Sequence, residues 1–202
     1  MPMPITAGLV LAAGEGRRFG GPKAPVVVDG ERLVDRAVRI LREAGCDPVV
    51  VVLGAWVGDV PGAVLVVNED WPTGMGSSLR CGLEHLASID TDDATHACGP
   101  RRAVDVVLVT LVDLPGLTTE AVRRIAAAAG DDPREVLAAA TYDGVRGHPV
   151  LLGRSHWSGV ATSAVGDRGA RTYLAEHDVT PVEVADVAQG DDLDEHPPTD
   201  PS

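Results

Sequence analysis

Residues 5–23 have the sequence ITAGLVLAAGEGRRFGGPK, and this stretch decides the fold class. The apolar run over residues 5–13 is typical of a strand that is buried on both faces of a sheet. The run ends abruptly at Gly14, and a glycine-rich loop with three cationic side chains follows it. Ligands of open α/β sheets bind beyond the carboxyl ends of the strands. The stretch therefore predicts an α/β fold with a ligand-binding loop directly after the first strand.

Alternating strands and helices continue along the chain. Short apolar runs predict strands at residues 49–53, 64–67, 104–112, 136–141, 149–152 and 181–184, the first two covered on both faces like the opening strand. Apolar residues at helical spacing predict helices at residues 32–44, from 74 onward, at 118–129 and in the segment that begins at 166. Ser77 or Ser78 is expected to cap the second of these helices, and Thr118 or Thr119 the third.

This alternation predicts a single three-layer α/β/α domain over residues 1–194, with an open, mostly parallel sheet and right-handed crossovers. The sheet is expected to become mixed where two strands flank a loop that contains Gly147 and His148. Residues 88–102 lack periodicity, which predicts an exposed excursion. Pro and Asp dominate residues 195–202, for which we expect a disordered tail.

The composition narrows the classes of partner and compartment. The formal net charge of −13 repels polyanions, and no run of Lys and Arg is present, which argues against nucleic acid as a partner. Cys46, Cys81 and Cys98 are dispersed and odd in number, which indicates a reduced interior. The sequence has neither a signal-peptide pattern at its start nor an apolar run long enough to span a bilayer. We therefore expect a cytoplasmic protein without membrane contact.

The loop after the first strand has the chemistry of an anion site. Its glycines allow main-chain N–H groups to approach phosphate oxygens closely, and Arg17, Arg18 and Lys23 supply positive charge. A P-loop is excluded, because Pro22 occupies the position of the P-loop lysine and neither Ser nor Thr follows Lys23. A dinucleotide-binding loop would have glycine in place of Phe19 and would enter a helix directly, so it remains only a competitor.

The loop resembles that of the molybdenum-cofactor nucleotidyltransferases, the MobA-like group within the wider sugar-nucleotide transferase fold. Their pattern is L-A-[AG]-G-x-[SG]-x-R-[ML]-G-x-x-K. The chain matches it at Leu11, Ala12, Ala13, Gly14, Arg18, Gly20 and Lys23, while Gly16 and Phe19 occupy positions often held by Ser and Met. The likeness continues through Asn68 and through residues 74–79, 113–115, 147–150 and 166–171. It implies a Rossmann-like nucleotide-diphospho-sugar transferase fold.

The resemblance also implies a reaction. A magnesium-dependent enzyme of this type would move CMP from CTP to the phosphate of molybdopterin and release pyrophosphate. CTP is favoured over GTP because Ala13 stands where the guanylyltransferase branch has glycine. Transient contact with molybdoenzymes or their chaperones would follow from such a role.

Individual side chains receive roles by the same resemblance. Arg18, Lys23 and Asp113 would be catalytic, and Asp113 would hold Mg²⁺ together with Asp192 and Asp194. Glu195, His196 and Pro197 replace the usual Thr-Pro-Glu of that late acidic segment. The residues expected to bind the nucleotide are Leu11, Ala12, Ala13, Gly14, Gly16, Arg18, Lys23, Gly76, Ser77 and Ser78. His148, Asp167 and Arg171 are expected to bind the acceptor, because they would lie across the mouth of the sheet from the loop.

Other functions stay open from the residues alone. A transferase of the same type would act on a sugar phosphate or on methylerythritol phosphate, a nicotinamide-dependent reductase would use the glycine-rich loop, and a non-catalytic chaperone would bind molybdopterin without releasing pyrophosphate. Structural roles also stay open: Asp113 as a cap, Asp192 and Asp194 as solvated acidic residues, and His148 as a packed loop residue. The histidines form no zinc-binding motif, and Ser77 lacks the setting of a nucleophile elbow.

Overall fold

One seven-stranded sheet forms the centre of the computed structural model, which describes residues 4–89 and 103–193. The described residues form nine strands, and seven of them belong to this sheet. The strands are β1 (Thr6–Leu11), β2 (Val27–Val28), β3 (Glu31–Arg32), β4 (Val49–Leu53), β5 (Val64–Val67), β6 (Val106–Leu111), β7 (Leu137–Tyr142), β8 (Val145–Gly153) and β9 (Thr180–Glu183). The helices are α1 (Leu33–Glu43), α2 (Met75–Ile89), α3 (Thr119–Ala126), α4 (Trp157–Ser163) and α5 (Arg171–Ala175). The predicted bounds of β4 and β5 are confirmed.

The strand order in the sheet is β5-β4-β1-β6-β8-β7-β9. Strands β5, β4, β1 and β6 are parallel, β8 runs antiparallel to both β6 and β7, and β9 is parallel to β7. The prediction of a mostly parallel sheet that becomes mixed is therefore confirmed. Strands β2 and β3 form a separate small hairpin, which the sequence patterns did not predict.

Helices cover both faces of the sheet and form three layers. On one face α1 and α3 bury Leu33, Leu41 and Ile125 against the strands. On the other face α2 and α4 bury Leu83 and Val160. Burial of a side chain of this size contributes about 1.5–3 kcal/mol relative to leaving it exposed. Among the helices of the described residues, none has the length and apolar character needed to cross a membrane.

Two strand predictions need correction. Strand β5 is not covered on both faces, because it forms the edge of the sheet, and Val64, Leu65 and Val67 are 40%, 38% and 50% exposed. Gly147 and His148 do not lie in a loop, because β8 begins at Val145, directly after the tight turn that follows β7. Its pairing with β7 shifts register between Ala139 and Thr141, so a bulge rather than a loop accommodates these residues.

The helix starts differ in part from the prediction. Helix α2 begins at Met75, so neither Ser77 nor Ser78 is its cap. The Ser77 hydroxyl instead donates to the carbonyl oxygens of Asp70 and Gly74. The capping of α3 is confirmed, since the Thr118 hydroxyl accepts a hydrogen bond from the Ala121 N–H at 3.2 Å. The segment at 166 forms only a short 3₁₀ turn over Gly166–Arg168 before α5 begins at Arg171.

The chain changes direction across the sheet at β1. After β1 it passes through α1 to β4 and β5 on one side, and α2 then leads it back to β6 on the other side of β1. Leu11 and Leu111 are register partners at the carboxyl ends of β1 and β6. Such a reversal opens a crevice beyond the strand ends, and ligands of α/β sheets bind there.

Candidate active site

A cleft of about 370 Å³ opens at the carboxyl ends of β1 and β6. It is bounded by the loop after β1, the segment that leads into α2, the turn after β6 and one residue from the segment before α5. The lining residues are Leu11, Ala13, Gly14, Glu15, Gly16, Arg17, Lys23, Trp71, Pro72, Thr73, Gly74, Met75, Ser78, Leu111, Val112, Asp113 and Asp167. The structure thus brings four separate parts of the chain together beyond the strand ends.

A lysine and an aspartate face each other in this cleft. The Lys23 ammonium donates to Asp113 Oδ2 at 2.7 Å, and the two side chains are only 15% and 19% exposed. Lys23 is the single lysine of the chain. Asp113 does not cap α3, because Thr118 has that role. Two opposite charges therefore face each other where β1 and β6 meet, in surroundings that screen them less than bulk water does.

The loop after β1 folds back on itself at Gly16. The carbonyl oxygen of Gly16 accepts hydrogen bonds from the N–H groups of Gly20 and Gly21 at 2.8 and 3.2 Å. Gly16 has a φ of +61°, and a Cβ at this position would lie 2.0 Å from the Gly21 carbonyl oxygen. Only glycine fits this turn, which directs Lys23 into the cleft.

The two arginines of the loop have different positions. Arg17 lines the cleft and forms an ion pair with Glu15. Arg18, which the family pattern marks as catalytic, is exposed and is not among the lining residues of the described structure. Phe19, the residue after Arg18, is buried, and the Lys23 ammonium lies 5.9 Å from the centre of its ring. Both arginines are exposed, so neither is buried in the cleft.

A buried amide ties the start of α2 to the end of β5. The Asn68 side chain donates to the hydroxyls of Ser77 and Ser78 at 2.9 and 3.1 Å and accepts from the Asp70 N–H at 3.0 Å. Of the predicted nucleotide-binding residues here, Ser78 lines the cleft, whereas Ser77 does not. Gly76 packs instead, because a Cβ there would lie 2.6 Å from the Ala164 carbonyl oxygen.

The predicted acceptor residues differ in their relation to the cleft. Asp167 lines the cleft, and Arg171 is exposed at the start of α5. The pKa of His148 is lowered from 6.5 to about 4. Burial is the main cause, the Asp113 charge opposes it, and the Arg171 charge adds to it. His148 is therefore neutral at pH 7 and lies within the electrostatic reach of both groups. Its carbonyl oxygen accepts a hydrogen bond from the Tyr142 hydroxyl at 2.7 Å.

The depressed pKa of His148 predicts a pH-dependent loss of stability. Because the unfolded chain binds a proton near pH 6.5 and the folded chain only near pH 4, stability is complete above pH 6.5 and falls as the pH falls through this window. Between pH 7.5 and pH 5 we expect a loss of about 2 kcal/mol from this group. Urea unfolding at both pH values measures this loss of stability in the wild type, and the loss should be smaller in His148→Gln. An equal loss in both proteins would contradict this assignment.

The late acidic segment lies beside Asp113. The N–H of Leu193 donates to the Asp113 carbonyl oxygen at 2.9 Å, which places Asp192 next to the turn after β6. Asp194, predicted as a further metal ligand, lies outside the described residues, as do Cys98 and the predicted tail. Within residues 4–89 and 103–193, no group of three or more His, Cys, Asp or Glu side chains is arranged to hold a metal ion.

Residues 8–181 match the MobA-like NTP transferase domain. The chain belongs to the MobA-like NTP transferase family. This membership confirms the resemblance that the loop residues indicated. It also makes the chain a nucleotidyltransferase by family, with the glycine-rich loop and Asp113 inside the matched region.

Individual relatives agree on the family and differ in the reactions that their names state. Nicotine blue oxidoreductase of Paenarthrobacter nicotinovorans is 34% identical over 205 residues, which cover 95% of this chain and 93% of that protein. Molybdenum cofactor guanylyltransferase of Rhizobium johnstonii is 31% identical over 182 residues, which cover 87% of this chain and 78% of that protein.

Solved structures show the same architecture. The crystal structure of the Rv0371c homologue from Mycobacterium sp. strain JC1 is 25% identical to this member of the MobA-like family and superposes with a TM-score of 0.72. The match covers 94% of this chain and 90% of that one. Together with the strand order, this likeness confirms the nucleotide-diphospho-sugar transferase fold.

Nine lining residues were not among the predicted site residues. They are Glu15 and Arg17 in the loop, Trp71, Pro72, Thr73 and Gly74 before α2, Met75 at its start, and Leu111 and Val112 at the end of β6. The run W-P-T-G-M-G contains a turn-forming Pro and two glycines, which is a signal for a tight connection and not for a ligand. The position of this segment beside the glycine-rich loop depends on the return of the chain across β1.

Proposed function

We propose that this chain transfers a nucleotidyl group from a nucleoside triphosphate, CTP in preference to GTP, to the phosphate of molybdopterin. The observation that supports this most strongly is the pair of Lys23 and Asp113 in the cleft beside the Gly16 turn. Phosphate oxygens require positive charge and N–H donors, and a divalent cation requires a carboxylate. The cleft offers a cationic side chain and a carboxylate 2.7 Å apart.

Asp113 and Asp192 fit a magnesium site. Mg²⁺ keeps several waters and is held by one or two carboxylates plus substrate phosphates, so a cluster of three protein ligands is not needed. Asp113 lines the cleft, and the main-chain bond from Leu193 holds Asp192 beside it. When bound, Mg²⁺ would neutralise charge on the triphosphate and on the departing pyrophosphate. Asp194 is proposed as a further ligand from the family pattern.

The loop and Lys23 would hold the triphosphate for in-line attack. N–H groups of the loop around Gly14 and Gly16 would bind the β and γ phosphates, while Lys23 would turn from Asp113 to the α-phosphate. An acceptor phosphate oxygen would attack the α-phosphorus as the bond to the bridging oxygen of the β-phosphate breaks. Positioning and charge stabilisation are sufficient for this step, so no side chain acts as nucleophile. Arg17, which lines the cleft, would offset further charge, and Arg18 is proposed for the same role from the family pattern.

The acceptor would approach from the side of His148, Asp167 and Arg171. His148 is neutral because burial holds its pKa at about 4, so it would donate or accept one hydrogen bond without adding charge. Arg171 is exposed at the start of α5 and would pair with the acceptor phosphate. The molybdenum cofactor guanylyltransferase of Rhizobium johnstonii supports molybdopterin as the acceptor, and Ala13 supports CTP as the donor.

A second candidate is favoured by one relative. The nicotine blue oxidoreductase of Paenarthrobacter nicotinovorans is 34% identical over nearly the whole chain, so a reduction of a heteroaromatic compound such as nicotine blue is a candidate activity. A nicotinamide-dependent reductase would use the same glycine-rich loop to hold the cofactor phosphates. The two candidates differ in the product that is formed.

Pyrophosphate release distinguishes them. The purified protein is incubated with MgCl₂, molybdopterin and either CTP or GTP, and pyrophosphate is measured. The proposal predicts release with CTP, less with GTP, and none without molybdopterin. Methylerythritol 4-phosphate replaces molybdopterin in a parallel reaction. Oxidation of NADPH or NADH with nicotine blue, in the absence of any pyrophosphate release, would establish the reductase instead.

A further inference from the structure

The cleft changes chemical character along its length. At the β6 end it presents the charged pair of Lys23 and Asp113, and at the β4 end it presents the indole of Trp71 with Pro72 and Met75. Strand β1 separates β4 from β6, so the two ends are about two strand spacings, or about 10 Å, apart. A nucleoside triphosphate has the same division, with a charged tail at one end and a flat aromatic base at the other.

Trp71 is held firmly at its end of the cleft. A Cβ at Gly54, the residue after β4, would lie 2.7 Å from Cβ and Cγ of Trp71 and 2.8 Å from Cβ of Ala13. Glycine at position 54 therefore allows the indole to lie against the ends of β4 and β1. Trp71 begins a 3₁₀ turn that is closed by the Thr73 hydroxyl, which donates to the Asp70 carbonyl oxygen at 2.7 Å.

The other two tryptophans have different surroundings. Trp157 is buried and donates its indole N–H to the Leu152 carbonyl oxygen at 3.0 Å. Trp56 packs against the opposite face of the sheet, with the Arg32 guanidinium 5.9 Å from its ring centre. Among the residues that the structure describes, Trp71 is the one aromatic side chain that lines the cleft.

We infer that Trp71 is the nucleobase-binding residue of this site, with its indole stacked on the base while the triphosphate lies toward Lys23. The inference rests on the proposed function, which places the phosphates on the loop after β1. Stacking on an aromatic ring tolerates every base, because each base has a π-face. Trp71 therefore contributes affinity for CTP and GTP alike, and discrimination between them comes from hydrogen-bonding groups elsewhere.

The test compares ligands with and without a base. Dissociation constants for CTP, GTP and inorganic tripolyphosphate are measured by calorimetry in MgCl₂ for the wild type, Trp71→Leu and Trp71→Phe. We expect Trp71→Leu to weaken CTP and GTP binding about 10- to 100-fold and to leave tripolyphosphate binding unchanged. Trp71→Phe retains a ring and should keep most of the affinity. Equal CTP affinity in wild type and Trp71→Leu overturns the inference.

Tryptophan fluorescence provides a second readout that does not depend on the leucine variant. CTP is expected to quench the wild type and the control Trp56→Phe, and this quenching should disappear in Trp71→Phe although CTP still binds. Quenching that persists in Trp71→Phe contradicts the stacking. A wild-type protein that binds neither tripolyphosphate nor CTP contradicts the proposed function itself, which is a different outcome from loss of the base effect alone.

Discussion

Lys23→Ala is expected to lower turnover by about 100- to 1,000-fold, because one charged donor to the reacting phosphate is lost. Lys23 is the single lysine of the chain and is mostly buried against Asp113. Removing it leaves this carboxylate without its partner, so we also expect the free energy of unfolding to fall by about 1–2 kcal/mol. Pyrophosphate release under saturating substrates measures the turnover, and urea unfolding measures the stability.

Two controls separate charge at the site from charge in general. Arg39→Ala removes one positive charge from the exposed face of α1, where Arg39 pairs with Glu31 and Glu43, and should leave turnover unchanged. Lys23→Arg keeps the charge and should retain more activity than Lys23→Ala, although the guanidinium differs in shape. Turnover of a folded Lys23→Ala protein near the wild-type value would contradict a catalytic role for this side chain.

Asp113→Asn is expected to lower turnover by at least about 100-fold and to weaken the response to Mg²⁺, because a neutral amide replaces a hard anionic ligand. The side chain keeps its size, and the hydrogen bond from Leu193 to the Asp113 main chain is retained. Turnover is measured as a function of MgCl₂ concentration. The curve for the variant should shift to higher concentration as well as to a lower maximum.

The matched control for this variant is Asp186→Asn. Asp186 is exposed and pairs with Arg124 outside the cleft, so the same loss of one carboxylate there should not alter the dependence on Mg²⁺. An Asp113→Asn protein with the wild-type metal response would show that Asp113 serves only as the partner of Lys23.

Local patterns were sufficient to predict most of the fold. Continuous apolar runs are typical of strands in a parallel sheet, and they identified β4 and β5 with the observed bounds. The position of Asp113 at the end of β6 also followed from the sequence, because an apolar run ends just before it. The same patterns did not predict the exposure of β5, since an edge strand is defined by its place in the sheet and not by its own residues.

Positions that depend on contacts distant in sequence were not predictable. Ser77 and Ser78 have the residue type of helix caps, but Asn68 from the end of β5 holds both hydroxyls, and the helix begins before them. The turn at Gly16 depends on the close approach of the Gly21 carbonyl oxygen, and the position of Trp71 depends on the space left by Gly54. A single sequence contains these residues without indicating that they meet.

A crystal structure with a non-hydrolysable CTP analogue and MgCl₂ tests the central claim most directly. The account predicts phosphate oxygens within hydrogen-bond distance of the main-chain N–H groups around Gly14 and Gly16, with Lys23 turned from Asp113 toward the phosphates and the metal bound at Asp113. Analogue bound elsewhere, with Lys23 still paired to Asp113 and the loop without phosphate, would contradict it.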